Sequence, residues 1–194
     1  MLKFLFLQVC QGVHAMHTVA KVAHMDIKLD NILVSEEGTL KLCDFGMVQP
    51  VEANIAKSFG TEMYMAPEIR ARQYYETYKG TPTDIFSLGV LLWILHFGRP
   101  PFAKADMSDR NYALLQRSPQ SFWKMHPTVR QHKGVVDEDL KSLLISTMSL
   151  GPQNRPESVA SLMNHSFFTK EEGLVDALQN HWVEQEAFQT QFRE

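Results

Sequence analysis

Cysteine is almost absent from these 194 residues: Cys10 and Cys43 are the only two. Two thiols cannot build a disulfide framework, so the chain reads as a protein of a reducing compartment, with the cytoplasm as the expected location and the nucleus as the alternative. Glycines are few and widely spaced. The nearest pair, Gly38 and Gly46, is eight residues apart, so no glycine-rich phosphate loop can be written anywhere in the chain. Neither sign of charge dominates. Nineteen Lys and Arg against 22 Asp and Glu leave a formal net charge of -3, which excludes a broad basic face and with it non-specific nucleic-acid binding. Long hydrophobic runs are also missing. The opening MLKFLFLQVC is too short and too polar for the apolar core of a signal peptide. The stretch from Ile85 to Phe97, bounded by Asp84 and Arg99, spans about 20 Å as a helix against a hydrocarbon core of roughly 30 Å. It is apolar all round, which predicts a helix buried inside a globular domain rather than in a membrane.

What is present suits one domain with a sizeable core: 22.2 kDa, 44% of it hydrophobic. Residues 1–20 read as a helix with an apolar face on Leu2, Leu5, Phe6, Val9, Val13 and Met16. Ile32–Val34 and Thr39–Cys43 flank a glycine-containing turn and predict a β-hairpin. Residues 47–65 show no sustained periodicity and are expected to be irregular. Thr81-Pro82-Thr83-Asp84 are expected to cap the buried helix, and Gly98-Arg99-Pro100-Pro101 to end it. The stretch 103–135 looks turn-rich, with one short helix around Arg110–Gln116. Asp137–Ser149 and Ser158–Asn164 suggest two more helices. From Thr169 the chain turns polar and carries Leu174, Leu178, Trp182, Phe188 and Phe192. Residues 169–194 are thus expected to be a helical tail that packs back on the domain, binds a partner or remains disordered.

The hairpin concentrates the chemistry. Asn31 lies just before its first strand and Asp44 just after its second, so an antiparallel return brings both side chains to one mouth. Asp26 and Lys28 precede them on a short loop. Two hard oxygen ligands, a further carboxylate and an ammonium describe a magnesium–phosphate site, because Mg²⁺ takes one or two protein oxygens and completes its shell with phosphate and water. The spare carboxylate can orient or deprotonate a hydroxyl, and the lysine can offset charge on a transferred phosphoryl group. Three histidines, His14, His17 and His24, raise zinc as an idea, but no cysteine or carboxylate completes tetrahedral spacing, and structural histidines explain them better.

His24-Met25-Asp26-Ile27-Lys28-Leu29-Asp30-Asn31 resembles the catalytic loop of eukaryotic protein kinases, and Asp44-Phe45-Gly46 resembles their magnesium-binding tripeptide. Gly60-Thr61-Glu62-Met63-Tyr64-Met65-Ala66-Pro67-Glu68 is similar to the end of their activation segment, and Asp84-Ile85-Phe86-Ser87-Leu88-Gly89 to the start of their central helix. Arg155 falls where the family keeps the arginine that pairs with the glutamate matched by Glu68. The resemblance covers residues 1–168 and implies a mostly α-helical C-terminal lobe with a small β-hairpin. The N-terminal lobe, with its glycine loop and strand lysine, is not found, so a truncated form of the domain is expected, completed by an upstream segment or a partner.

The resemblance implies transfer of the ATP γ-phosphoryl group to serine or threonine of protein substrates. Asp26 would accept the hydroxyl proton, Lys28 would contact the γ-phosphate, and Asn31 and Asp44 would hold Mg²⁺. Thr61 would bond towards Asp26 and Lys28. Phe45 and His24 would stack in the core behind the site, with Asp84 bonding the backbone of the catalytic loop. Met25 replaces the usual arginine that binds a phosphate on the activation segment, and Lys57 stands where the common phosphoacceptor would fall. Activity is therefore expected not to depend on that phosphorylation, although Ser58 and Thr61 remain as acceptors. The rival expectation is an inactive kinase-like binding module. A small-molecule phosphotransferase leaves Ala66-Pro67-Glu68, Asp84 and Arg155 unexplained.

Overall fold

In a computed structural model of the chain, residues 1–70, 77–170 and 173–174 are described. The first helix, α1 (Leu2–Ala15), forms because Phe6, Val9, Cys10 and Val13 recur at helical spacing and all go inside. One π-helical turn, Met16–Ala20, follows before Lys21 takes a left-handed φ of 57°. The buried face is rotated from the expected one. Leu2, Leu5 and Met16 are only partly buried, whereas Leu7 and Gln8 are enclosed. The hairpin lies on that side, and Gln8 Oε1 accepts the Leu40 N–H at 2.9 Å.

Strands are few and local. β1 (Val22–Ala23) pairs antiparallel with β4 (Gln49–Pro50), and β2 (Ile32–Val34) pairs antiparallel with β3 (Leu40–Leu42). In the hairpin Ile32 faces Leu42 and Val34 faces Leu40. The irregular stretch 47–65 contributes β4, a bridge between Ile55 and Tyr78, and a 3₁₀ turn at Glu62–Tyr64. Its backbone donors are thus met from distant parts of the chain rather than by a regular element.

The short helix α2 (Pro67–Arg70) precedes the central helix α3 (Gly80–Phe97). Here the sequence expectation needs correcting. α3 starts before the anticipated cap, with Lys79 at the N-cap position and no side-chain cap. Thr83 Oγ1 instead donates to the Gly80 carbonyl at 2.6 Å, and Asp84 lies inside the helix, where its carboxylate serves other backbone donors. With 18 residues α3 is long and apolar enough to cross a membrane by length and composition, so the length argument against a membrane falls. Its packing takes over, since every residue from Thr83 to Trp93 is buried within the domain. Gly98, at φ 73°, ends the helix in the left-handed conformation that glycine adopts without a Cβ clash.

Beyond α3, three helices stand where one was expected: α4 (Arg110–Arg117), α5 (Pro119–Met125) and α6 (Pro127–Gln131). Pro119 and Pro127 each occupy a first helical position, where the missing N–H has no partner to lose. α7 (Glu138–Thr147) and α8 (Val159–Met163) begin at the side-chain caps Asp137 and Ser158, and α9 (Ser166–Thr169) follows. Leu174 is buried, and the remaining tail positions Leu178, Trp182, Phe188 and Phe192 lie outside the described residues.

One buried ion pair fastens the segment before α3. Arg155 donates to Glu68 through Nη1 at 2.6 Å and Nη2 at 2.7 Å. The same Nη1 reaches the Pro82 carbonyl at 2.8 Å, Nε reaches the Ser149 carbonyl at 3.0 Å, and the guanidinium lies over the Phe86 ring. All the oxygens around this fork are accounted for, as a buried charge requires.

Candidate active site

Asp84 organises the loop that follows β1. Its Oδ2 accepts the His24 N–H at 2.7 Å, and its Oδ1 accepts the Met25 N–H at 2.9 Å. His17 Nε2 lies 2.8 Å from Oδ2. These bonds hold Met25 at φ 71°, a left-handed conformation unfavourable for a side-chain-bearing residue. The His24 ring is fully buried and acts as a brace. Its Nδ1 accepts the Asp26 N–H at 3.3 Å, so the ring proton resides on Nε2, which faces the Cys43 carbonyl at 3.2 Å. A single imidazole thus links the residue before Asp44 to Asp26.

Asp26 sits at the centre, only 3% exposed. Its Oδ2 accepts from Lys28 Nζ at 2.7 Å and from Asn31 Nδ2 at 3.2 Å, and its Oδ1 accepts from Thr61 Oγ1 at 2.8 Å. Lys28 Nζ also reaches Thr61 Oγ1 at 2.9 Å, which closes a triangle of ammonium, hydroxyl and carboxylate. Burial pushes the Asp26 carboxyl up, but the hydrogen bonds from Lys28 and Thr61 and the Lys28 charge outweigh it and hold the group below its ordinary value. The Asp26 hydrogen bond holds the Lys28 ammonium above its ordinary value against partial burial, with the charges of Asp30 and Asp44 adding to the effect. Both groups are therefore charged at neutral pH. Gly60 is what allows Thr61 to approach, because at φ 101° a Cβ there would stand 2.9 Å from the Met25 carbonyl oxygen.

Asn31 and Asp44 flank the mouth of the hairpin, where the Cys43 N–H donates to the Asn31 carbonyl at 3.0 Å. The Asn31 amide nitrogen is committed to the Asp26 carbonyl at 2.8 Å and to its carboxylate, which leaves Oδ1 as an acceptor. Asp44 has a left-handed φ of 61° and is exposed, with Oδ1 accepting the Gly46 N–H at 3.4 Å. This donor set fits magnesium: hard oxygens, few in number, one of them a solvent-facing carboxylate. Among the described residues no three His, Cys, Asp or Glu cluster as a metal cage.

Two expectations change. Phe45 does touch His24, with ring centroids 5.6 Å apart at 49°, but it is 52% exposed and does not lie in the core. Among the described residues its outer face borders an open cleft with Val9, Gly12, Met16 and Leu40 rather than a packing partner. Cys43, a strand residue expected to be a small buried apolar group rather than a reactive thiol, is only partly buried, because β3 ends at Leu42 and the chain turns outward to Asp44. His17 reads in the sequence as a structural or solvated histidine. Its contact with Asp84 spans 67 residues, and nothing in the local spacing of the sequence signals it.

The profile of the protein kinase domain matches residues 1–168. This chain belongs to the protein kinase domain family. A Saccharomyces cerevisiae relative that bears a serine/threonine-protein kinase name is 31% identical over 97% of this chain and 20% of its own length. The serine/threonine-protein kinase SRK2J of Arabidopsis thaliana is 30% identical over 87% of this chain and 48% of its own. The serine/threonine-protein kinase shk2 of Schizosaccharomyces pombe is 29% identical over 84% and 26%. The chain thus spans less than half of each of these kinases, and the family match over residues 1–168 contains the Asp26 cluster and the hairpin mouth.

Proposed function

We propose that this kinase-family chain transfers the γ-phosphoryl group of ATP to serine or threonine hydroxyls of protein substrates, with residues 1–168 as the working unit. Mg²⁺–ATP would supply the phosphoryl group, and Asn31 and Asp44 would hold the ion. Asp26 accepts the proton of the incoming hydroxyl. It suits that role because it is buried, ionised at neutral pH, and fixed in direction by donors on both oxygens. Lys28 stands beside it as a fixed positive charge that offsets charge gathered on the transferred group. Thr61 orients both. The observation that carries this reading is the closed Asp26–Lys28–Thr61 triangle. The serine/threonine names of the relatives support the choice of acceptor. A reducing, cytoplasmic setting completes the reading, suggested by the low cysteine content of the sequence.

The decisive test is phosphotransfer to a serine- and threonine-containing protein substrate, with Asp26→Asn as the comparison. The substitution should lower kcat by about 10²–10⁴-fold. Equal rates in both proteins would remove Asp26 from the chemistry.

A second reading is a kinase-like binding module without turnover. It is favoured by the half-exposed Phe45 ring and by the lack of any glycine-rich phosphate loop in this sequence. On either reading the 194-residue chain alone should bind Mg²⁺–ATP weakly, since its sequence carries no glycine-rich phosphate loop. Calorimetry checks this, and tight magnesium-dependent binding would show that the chain completes the nucleotide site by another route.

A further inference from the structure

Many cations of this protein have carboxylate partners: Lys28 with Asp26, Arg70 with Glu62, Lys141 with Glu138, Arg155 with Glu68, and Lys170 with Asp139. Other cations form no ion pair among the described residues, and three of these converge on one place. Arg110 from α4, Lys124 from α5 and Arg130 from α6 line a single cleft of about 520 Å³. None of the three forms an ion pair among the described residues, and no carboxylate lines the cleft. The nearest acid in sequence, Asp109, is committed elsewhere. Its Oδ1 accepts the N–H groups of Asn111 and Tyr112 at 2.9 and 3.0 Å, and its Oδ2 accepts that of Ala103 at 3.0 Å. Arg110 also occupies the first turn of α4, where the helix dipole disfavours a cation. Its position does not serve the helix, and an anion in the cleft would reverse the penalty.

The rest of the lining is one amide, Asn111, and three apolar side chains. Leu114 stands one turn after Arg110 on α4, Met125 is 50% exposed, and Pro127 opens α6. Three unpaired cations around exposed apolar side chains match a short segment that carries several carboxylates and one apolar side chain. They do not match an extended phosphate backbone or a lipid surface. The chain as a whole is net negative, and three cations in a concavity provide neither a long track nor a flat polybasic face.

We propose that the α4–α5–α6 cleft is a docking site for an acidic peptide segment of a protein partner. Arg110, Lys124 and Arg130 take its carboxylates, and Leu114 and Met125 take its apolar residue. The cleft shares no lining residue with the Asp26 cluster, so the proposal stands independently of phosphotransfer.

The test uses the full chain and a labelled peptide of Glu and Asp around a central Leu, followed by fluorescence anisotropy. The companion probes are the same peptide with Gln and Asn in place of the acids, inorganic phosphate, phosphatidylserine vesicles and a short DNA duplex. The acidic peptide should bind, weaken as salt rises, and lose about tenfold or more in affinity in Arg110→Gln/Lys124→Gln/Arg130→Gln. All three side chains are exposed, and circular dichroism checks that the fold persists. Arg130→Gln alone gives a second, smaller loss should the triple variant misfold. Met125→Ser should weaken the peptide without changing its salt dependence, and Asp26→Asn should leave binding unchanged. Equal binding of the Gln/Asn peptide, no binding of the acidic peptide, or affinity unchanged by the three substitutions would overturn the proposal. Tighter capture of phosphate, vesicles or duplex through the same three cations would overturn it too.

Discussion

The Thr61 hydroxyl donates to Asp26 Oδ1 at 2.8 Å across 35 residues of chain, while Lys28 holds the other carboxylate oxygen at 2.7 Å. The two bonds fix the plane of the carboxylate, so the direction in which Asp26 can take a proton depends on a residue of a separate segment. Thr61→Val removes the hydroxyl and keeps the shape. We expect kcat to fall by about 10²-fold through misorientation, with KM for ATP little changed. Thr61→Ser should restore most of the rate. A KM effect without a kcat effect would place Thr61 in binding instead.

The pH profile follows from the same bonds. Asp26 has a folded-state pKa below its unfolded value, so its contribution to stability is present above the unfolded value and is lost as pH falls through the lowered folded one. The acid limb of activity should therefore lie below the ordinary carboxylate pKa of about 3.9. Lys28→Met removes the opposing charge and leaves burial to act, so the limb should move upward. Lys28 has the opposite sign: its folded pKa is raised, and its contribution is lost only as pH rises through that value. A kcat/KM profile of the Lys28→Met protein that coincides with the parent's would show that the pair does not set the limb.

Glu68 and Arg155 are both buried and joined by two short bonds. Removing one partner strands the other charge, so Arg155→Met or Glu68→Gln should each cost about 3–5 kcal/mol. The double variant should cost less than the sum, since it leaves no lone charge. Urea denaturation of the four proteins measures this directly.

Met25 is 4% exposed, and its Sδ lies 3.6 Å from Thr83 Oγ1. A thioether there offers no charge-assisted bond to a phosphate, and the segment is already tied by the Ile55–Tyr78 bridge and by the Tyr78 hydroxyl on the Lys57 carbonyl at 2.6 Å. Ser58→Glu should thus leave phosphotransfer unchanged. Met25→Arg should lower the melting temperature by burying an unpaired cation. A large change in activity on Ser58→Glu would show that phosphate on this segment acts through another group.

The legible parts of the fold are those whose causes are close in sequence. The existence of α1, the β2–β3 hairpin and the Gly98 stop arise from periodicity and turn chemistry, whereas the rotation of the α1 buried face does not. α5 and α6 escape such a reading because a proline such as Pro119 or Pro127 can start a helix as well as break one, and only the packing of the residues after it decides. The start of α3 differs from the expected one because Asp84, a good capping residue by type, is used by the His24 and Met25 backbones instead. The exposure of Phe45 is likewise out of reach, since an aromatic ring beside a buried histidine reads as core unless the surrounding surface is known.

By itself the sequence determined which groups share the loop and hairpin mouth: Asp26, Lys28 and Asn31 lie within five residues, and β2 and β3 return the chain to Asp44. Covalent connection and hydrogen-bond register decide such neighbourhoods with little help from the rest of the molecule. Thr61 beside Asp26, His17 on Asp84 and Arg155 on Glu68 join residues 35, 67 and 87 positions apart. Only the packing of α1, α3 and the intervening segment around one core decides those contacts, because their geometry depends on where whole elements come to rest.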